Sequence, residues 1–232
     1  MFPTTSWTMV LQAAGPEASR TALEQLCAAY WKPVYVFIRK ETGDSEEAKD
    51  LTQAFFTRIL EKHDLLPPDP EIGRFRHYLL ASVRHFLSNQ RDRARAQKRG
   101  GGRPTLLLDS SAVAAGQPVE AVEHLTPERV FEKQWVLVLL ERALNAVRLE
   151  FDAGGKSQQF EALRPYLTGD FSSGHYKDLG AKLGMSEGGV KSAVHRLRRR
   201  FGNSLRAEIA HTVADPTDIE DELRYLFMVL SS

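Results

Sequence analysis

The sequence contains a single cysteine, Cys27, so it can form neither an intramolecular disulfide nor a cysteine-rich metal site. It has no run of about 18 or more uncharged apolar residues, and its first residues, MFPTTSWTMVLQAAG, lack a basic leader. We therefore predict no membrane span and no export signal, and we expect the protein to work in a reducing cytoplasm. Strand patterns are also missing, which favours an all-α fold.

The sequence also lacks HExxH and CxxC motifs and a glycine-rich phosphate loop followed by Lys and Ser or Thr. Its histidines are scattered, and Glu46 and Glu47 are adjacent, so they point in different directions from a helix. We predict that the chain is not an enzyme and that it needs no cofactor and no metal.

The chain as a whole has no large excess of positive or negative charge, since its net charge is +1. Length and composition, 232 residues with 42% hydrophobic, suit one large or two small folded domains. Between Arg84 and Arg103, however, seven basic residues stand against one acid, Asp92. This strip can be a solvated helix end, but its position beside an aromatic helix favours contact with phosphates.

The segment Tyr176–Phe201 has the pattern of two short helices joined by a tight turn. Gly184 can end the first helix in a left-handed backbone conformation, and Ser186 can cap the second helix. Apolar residues at helical spacing give the second helix one core face: Val190, Val194, Leu197 and Phe201. The opposite face carries side chains that bond base edges and phosphates: Lys191, Ser192, His195, Arg196 and Arg199. We predict a DNA-reading helix, although a helical hairpin with a solvated basic face would give a similar pattern.

The first part of the chain is predicted to form three amphipathic helices. The first runs from Glu17 to Lys40, and Pro33 forces a kink or a break in it. The second is capped by Asp44 and buries one face, formed by Ala48, Leu51, Phe55 and Ile59. LLPPDPEIG must be a loop. The third begins near Arg74 and buries Phe75, Tyr78, Leu79, Val83 and Phe86.

Composition also predicts where the domains meet. Residues 100–125 are rich in Gly, Ser, Ala and Pro and read as a flexible linker between a first domain, 1–99, and a second, 126–213. Thr126 caps the first helix of the second domain and Pro127 takes its first position. A final acidic amphipathic helix, within 214–232, places Ile219, Leu223, Leu226, Phe227 and Leu230 on one face. This face either packs on the second domain or holds a regulator.

Three stretches, taken in order, resemble the signature regions of the extracytoplasmic-function (ECF) sigma factors of bacterial RNA polymerase, in the sigma-70 superfamily. They are GDSEEAKDLTQAFFTRIL, GRFRHYLLASVRHFLSNQRDRARA and YKDLGAKLGMSEGGVKSAVHRLRRR. The resemblance covers most of the chain, from about Leu23 to Ile209. It implies a transcription initiation factor that binds core RNA polymerase through its β′ and β subunits, recognises minus-35 and minus-10 promoter elements and assists melting.

The resemblance also implies roles for individual residues. The first stretch would bind core polymerase through Asp50, Gln53 and Phe56. The second would contact the minus-10 element, with Tyr78 stacking on an unpaired base and Arg84, Asn89 and Arg91 near the strand. The third would read the minus-35 element through Ser186, Lys191, Ser192, His195, Arg196 and Arg199.

The docking stretch departs from the family pattern, which implies weak docking. Where members usually carry acids beside the Asp and Gln of the DL-x-Q motif, this chain has Lys49 and Ala54. Thr52 and Thr57 lie within about one helical turn of those positions, and a phosphate adds roughly −1.5 to −2 charges. Some members of the family are activated by Ser/Thr kinases, so Thr52 is a candidate phosphorylation site. An ordinary structural role for Thr52, and control by an anti-sigma factor, remain alternatives.

A different class of protein also fits the helix-turn-helix. A two-domain transcriptional regulator would bind operator DNA without polymerase, using its first domain as a sensor. Such a sensor needs a ligand pocket or a phospho-acceptor site, whereas this first domain offers a docking helix followed by an aromatic and basic one. A helical adaptor with accidental basic faces fits less well.

Overall fold

The computed structural model describes residues 16–62, 74–99, 125–167 and 173–231. Helices and the turns between them make up these ranges, which confirms the predicted all-α fold. The proline-rich loop and residues 100–124 of the predicted linker lie outside the described residues. Contacts divide the chain into an N-terminal unit that ends at Trp135 and a C-terminal unit that begins at Val136.

The N-terminal unit contains α1 (Pro16–Thr42), α2 (Ser45–Lys62), α3 (Phe75–Arg99) and the first turns of α4 (Pro127–Ala153). Helix α1 continues through Pro33, so of the two predicted alternatives the break is wrong and the kink stays a prediction. Proline removes one backbone donor, but the residues around it are buried and their packing outweighs that loss.

Aromatic rings on all four helices form the core of the N-terminal unit. Tyr30 and Phe75 meet edge to face at 4.8 Å between ring centroids. Phe37 contacts Phe131 in the same way at 6.5 Å. The indole Nε1–H of Trp135 donates to the Tyr30 hydroxyl over 2.9 Å. Cys27 is buried in the same unit, and this burial, with a smaller effect of Glu24, raises the pKa of its thiol to about 12.

Phe131 and Trp135 pack in the core of the N-terminal unit, which ends at Trp135. The C-terminal unit therefore begins ten residues after Thr126, where the second domain was predicted to start. Thr126 does cap α4, because its hydroxyl accepts the Arg129 N–H over 3.3 Å. The first turns of α4 therefore complete the core of the N-terminal unit, and the division falls inside this helix.

The C-terminal unit contains the remainder of α4, α5 (Ser157–Leu163), a 3₁₀ turn (Arg164–Leu167), α6 (Ser173–Leu183), α7 (Glu187–Ala210) and α8 (Ile219–Leu230). The 3₁₀ turn contains Pro165. The core of this unit is one apolar cluster from α4 to α7, whose most buried members are Val147, Phe160, Leu163, Val190 and Leu197.

Helix α8 packs on the C-terminal unit through a face that only partly coincides with the predicted one, of which Ile219 and Leu223 are half-buried. Leu226 and Val229 are fully buried together with Glu222, and Arg206 of α7 bonds Glu220 over 2.8 Å. Two predicted face residues are instead exposed, Phe227 at 55% and Leu230 at 46%. The predicted stripe is therefore shifted by about one residue, and only Leu226 of it is fully buried.

Candidate nucleic-acid interface

The turn between α6 and α7 is built as the sequence predicts. Gly184 has φ +64°, a conformation that side chains with a Cβ rarely adopt. The Ser186 hydroxyl accepts the Gly189 N–H over 3.1 Å and so caps α7. Gly180 is required by close approach, because a Cβ there would lie 2.6 Å from the carbonyl oxygen of Met185. These contacts fix the angle at which α7 leaves the turn.

Helix α7 separates a buried apolar face from an exposed polar one. Val190, Val194 and Leu197 are at most 3% exposed. The predicted base-reading side chains are all exposed: Lys191, Ser192, His195, Arg196 and Arg199. The predicted segregation of the two faces is confirmed, while the contact of this polar face with DNA stays a prediction.

Three basic residues of α7 have partners inside the C-terminal unit. The Arg198 Nε–H donates to the carbonyl oxygen of Tyr166 over 3.0 Å, which ties α7 to the 3₁₀ turn. Arg200 lies 5.3 Å from the centroid of the Phe151 ring. Lys191 bonds Glu187 over 2.6 Å and lies 5.7 Å from the Tyr176 ring. Basic residues of α7 therefore both anchor the helix in its unit and provide positive charge for a ligand.

A second basic surface lies on α3 in the N-terminal unit. Arg84 and Arg91 are seven residues apart, so they share one exposed face of the helix. Each has a carboxylate partner: Arg84 bonds Glu128 of α4, and Arg91 bonds Glu41 of α1 over 2.7 Å. Asn89 is half-buried and lies 3.4 Å from an imidazole nitrogen of His85.

Tyr78 does not belong to this surface. Its ring is 0% exposed and lies 6.2 Å from that of Phe75, and burial raises the pKa of its hydroxyl. A base cannot stack on a ring that is packed inside the core, so the stacking role implied for Tyr78 is corrected. The periodicity of α3 already predicted Tyr78 as a core residue, and that prediction is confirmed.

Helix α2 begins as predicted, because the Asp44 carboxylate accepts the Glu47 N–H over 2.8 Å. Asp50 is exposed and Gln53 half-buried, so both have polar atoms near the surface. Phe56 is only 6% exposed and packs edge-on against Phe55 at 5.2 Å. Phe56 therefore supports the helix from inside, and its implied role as a contact with polymerase is corrected.

Thr52 is also inside the N-terminal unit. Its side chain is 0% exposed, and its hydroxyl donates to the carbonyl oxygen of Ala48 over 2.6 Å. A kinase needs an accessible hydroxyl, so this position does not present one. The structure thus corrects the assignment of Thr52 as a phosphorylation site and supports its structural role.

Within the ranges that the structure describes, no helix is long and apolar enough to cross a membrane. The same ranges contain no cluster of three or more His, Cys, Asp or Glu side chains that could hold a metal ion.

Comparison with known proteins finds similarity along most of the chain. The chain is 26% identical over 206 residues to the ECF RNA polymerase sigma factor SigE of Mycolicibacterium smegmatis, a match that covers 88% of this chain and 70% of that protein. No protein-family model matches the chain, and no solved structure matches it significantly. This similarity runs along most of the sequence and agrees with the order of the three motifs and with the all-α fold. This similarity supports membership of the ECF sigma factors and a role in transcription initiation.

Proposed function

We propose that the protein binds core RNA polymerase and directs it to promoters by reading a minus-35 element with α7 and a minus-10 element with α3. The observation that carries this proposal is the exposed polar face of α7, held by a buried apolar face and a capped turn. A helix presented in this way fits the major groove of duplex DNA. The proposal assigns no catalytic chemistry to the chain itself.

The minus-35 element would be read by side chains in the first turns of α7. Lys191, Ser192 and His195 lie nearest its N-terminus, Arg196 and Arg199 further along, and all are exposed. Ser186 contributes by capping the helix, since its hydroxyl already accepts the Gly189 N–H. Arginine suits bidentate contact with guanine, and lysine suits phosphates or guanine.

The minus-10 element would meet the exposed face of α3, through Arg84, Arg91 and Asn89. Core polymerase would meet α2 at Asp50 and Gln53, which the structure leaves at or near the surface. Buried Phe56 and Tyr78 support these two surfaces from the core of the unit. Each helix thus pairs one packed face with one face available to a partner.

Transcription in vitro from a promoter library, with added core polymerase, tests this function. The protein should co-purify with core polymerase and select a family of promoters that share two spaced elements. A tight footprint on duplex DNA without polymerase, together with no detectable association with core, would instead identify an operator-binding regulator.

Within the same assay, Arg196→Ala should lower initiation at promoters that depend on the minus-35 element, by about 1 to 3 kcal/mol for a bidentate base contact. Arg164→Ala removes another exposed arginine, from the 3₁₀ turn, and serves as the control. Equal loss from Arg196→Ala at every promoter sequence would show a phosphate contact rather than a base contact.

A further inference from the structure

Glu128 occupies the basic surface that is proposed to meet the minus-10 strand. It lies in the first turn of α4, and its carboxylate bonds the guanidinium of Arg84 on α3. The two residues are 44 positions apart in sequence, so the pair is not a by-product of spacing along one helix. The Arg84–Glu128 pair depends on how the start of α4 packs against the other helices of the N-terminal unit.

That docking is extensive. The rings of Phe131 and Trp135 are 1% exposed, and Trp135 donates to the Tyr30 hydroxyl. Arg76, itself 4% exposed, lies over the Trp135 ring at 5.3 Å and 3.9 Å from the Glu132 carboxylate. Glu128 lies less than one turn before Phe131, so this anchor holds its carboxylate beside Arg84 at a high effective concentration.

The pair itself, by contrast, is open to exchange. The side chain of Arg84 is 54% exposed and that of Glu128 34% exposed, and an exposed ion pair is worth little in water. Arg84 lowers the pKa of Glu128 by hydrogen bonding, so the carboxylate stays charged at neutral pH. A phosphate of a nucleic-acid strand presents the same negative oxygens to the guanidinium, so one can replace the other while the anchor stays in place.

We propose that Glu128 is an internal competitor for the nucleic-acid strand: its carboxylate takes the place of a phosphate on Arg84 and sets how strongly the free sigma factor binds DNA. This inference rests on the proposed role of Arg84. The competing group belongs to the start of α4, outside the motif that supplies the arginine.

The test uses the full-length protein and a labelled pool of single-stranded DNA oligonucleotides of random sequence, with binding followed by fluorescence anisotropy at several salt concentrations. Glu128→Gln should bind about threefold more tightly than the native chain, as expected from an exposed ion pair. The slope of the logarithm of its binding constant against the logarithm of salt concentration should steepen by up to about 0.7, the value expected for one additional phosphate contact on a single strand.

Three controls separate this competition from other effects. Glu161→Gln removes one exposed carboxylate from the C-terminal unit and should leave affinity and salt dependence unchanged. Arg84→Ala should weaken binding, and adding Glu128→Gln to Arg84→Ala should give no gain. Circular dichroism of each variant confirms that the anchor and the fold are retained.

The outcomes distinguish this inference from the proposed function. Equal affinity of Glu128→Gln and the native chain, with weaker binding by Arg84→Ala, would overturn the competitor role and leave the DNA surface intact. Unchanged binding by Arg84→Ala would overturn the role of Arg84 itself. An equal gain in Glu161→Gln would show that only the net charge of the protein matters.

Discussion

Thr52→Glu is expected to destabilise the N-terminal unit, not to mimic activation. A carboxylate at this fully buried position would have no compensating charge, and an unpaired buried charge costs about 3 to 5 kcal/mol. Chemical denaturation monitored by circular dichroism measures this change.

Two further variants of α2 serve as references for the stability change of Thr52→Glu. Ala54→Glu places the same charge on an exposed position of α2 and should change stability by about 0.5 kcal/mol or less. Thr52→Val keeps the shape but loses one hydrogen bond, worth about 1 kcal/mol. Full stability of Thr52→Glu, with tighter binding to core polymerase, would restore the phosphorylation hypothesis.

The burial of Thr52 could have been predicted from the sequence. Ala48, Thr52, Phe55 and Ile59 follow the spacing of four, three and four residues that marks a single helical stripe. A hydroxyl favours a surface position, yet a threonine hydroxyl can donate to the carbonyl oxygen four residues earlier, as it does here. Burial of Phe56 is harder to predict, because it depends on which ring packs beside it.

Helix α2 offers a direct test of its docking role. Lys49 bonds Glu46 over 2.7 Å, so in the free protein this acid is engaged with a neighbouring cation. Lys49→Glu changes the local charge by two units and should tighten binding to a cationic surface on core polymerase. The gain, measured as the dissociation constant from core polymerase, should shrink as salt rises. Lys182→Glu, an exposed exchange on α6, is the control; an equal gain there, or none in Lys49→Glu, would count against docking through α2.

The end of the chain is expected to stabilise the C-terminal unit. Deleting the residues after Ala214 removes the fully buried Leu226 and Val229, and losing one such side chain costs about 2 to 5 kcal/mol. Thermal unfolding should show a lower midpoint. Leu226→Ala should reproduce much of that loss, whereas Phe227→Ala, at an exposed position, should not. Unchanged stability of the deletion with higher transcription would instead support a restraining role.

The stripe on α8 shows why the sequence prediction was only partly right. Glu222, Leu226 and Val229 form the buried stripe, and Glu222 is 1% exposed. Charged residues are almost never fully buried, so apolar periodicity favours the neighbouring stripe that contains Phe227. Helix positions, caps and the core of α7 depend on local patterns and were predictable, whereas burial of a charge depends on distant partners.

Fragments of the chain should reveal where the N-terminal unit ends. A fragment that stops at Trp135 keeps the rings of Phe131 and Trp135 in the core, whereas one that stops at Arg99 exposes the surfaces that they cover. Since removing one large aromatic from a core costs about 3 to 5 kcal/mol, the longer fragment should be more stable by at least that amount. Urea unfolding of both fragments, with Trp135→Ala in the longer one, measures the difference. Equal stability would favour a domain that is complete before α4.

The burial of Cys27 has a consequence for how the protein responds to its surroundings. Burial raises the pKa of this thiol to about 12, so very little nucleophilic thiolate is present at neutral pH, and the sulfur is shielded from reagents. Peroxide or an alkylating agent should therefore leave the folded protein unmodified at its only sulfhydryl. The same group becomes reactive once the N-terminal unit opens, so thiol labelling reports the opening of the unit that carries α2, the helix proposed to dock on core polymerase.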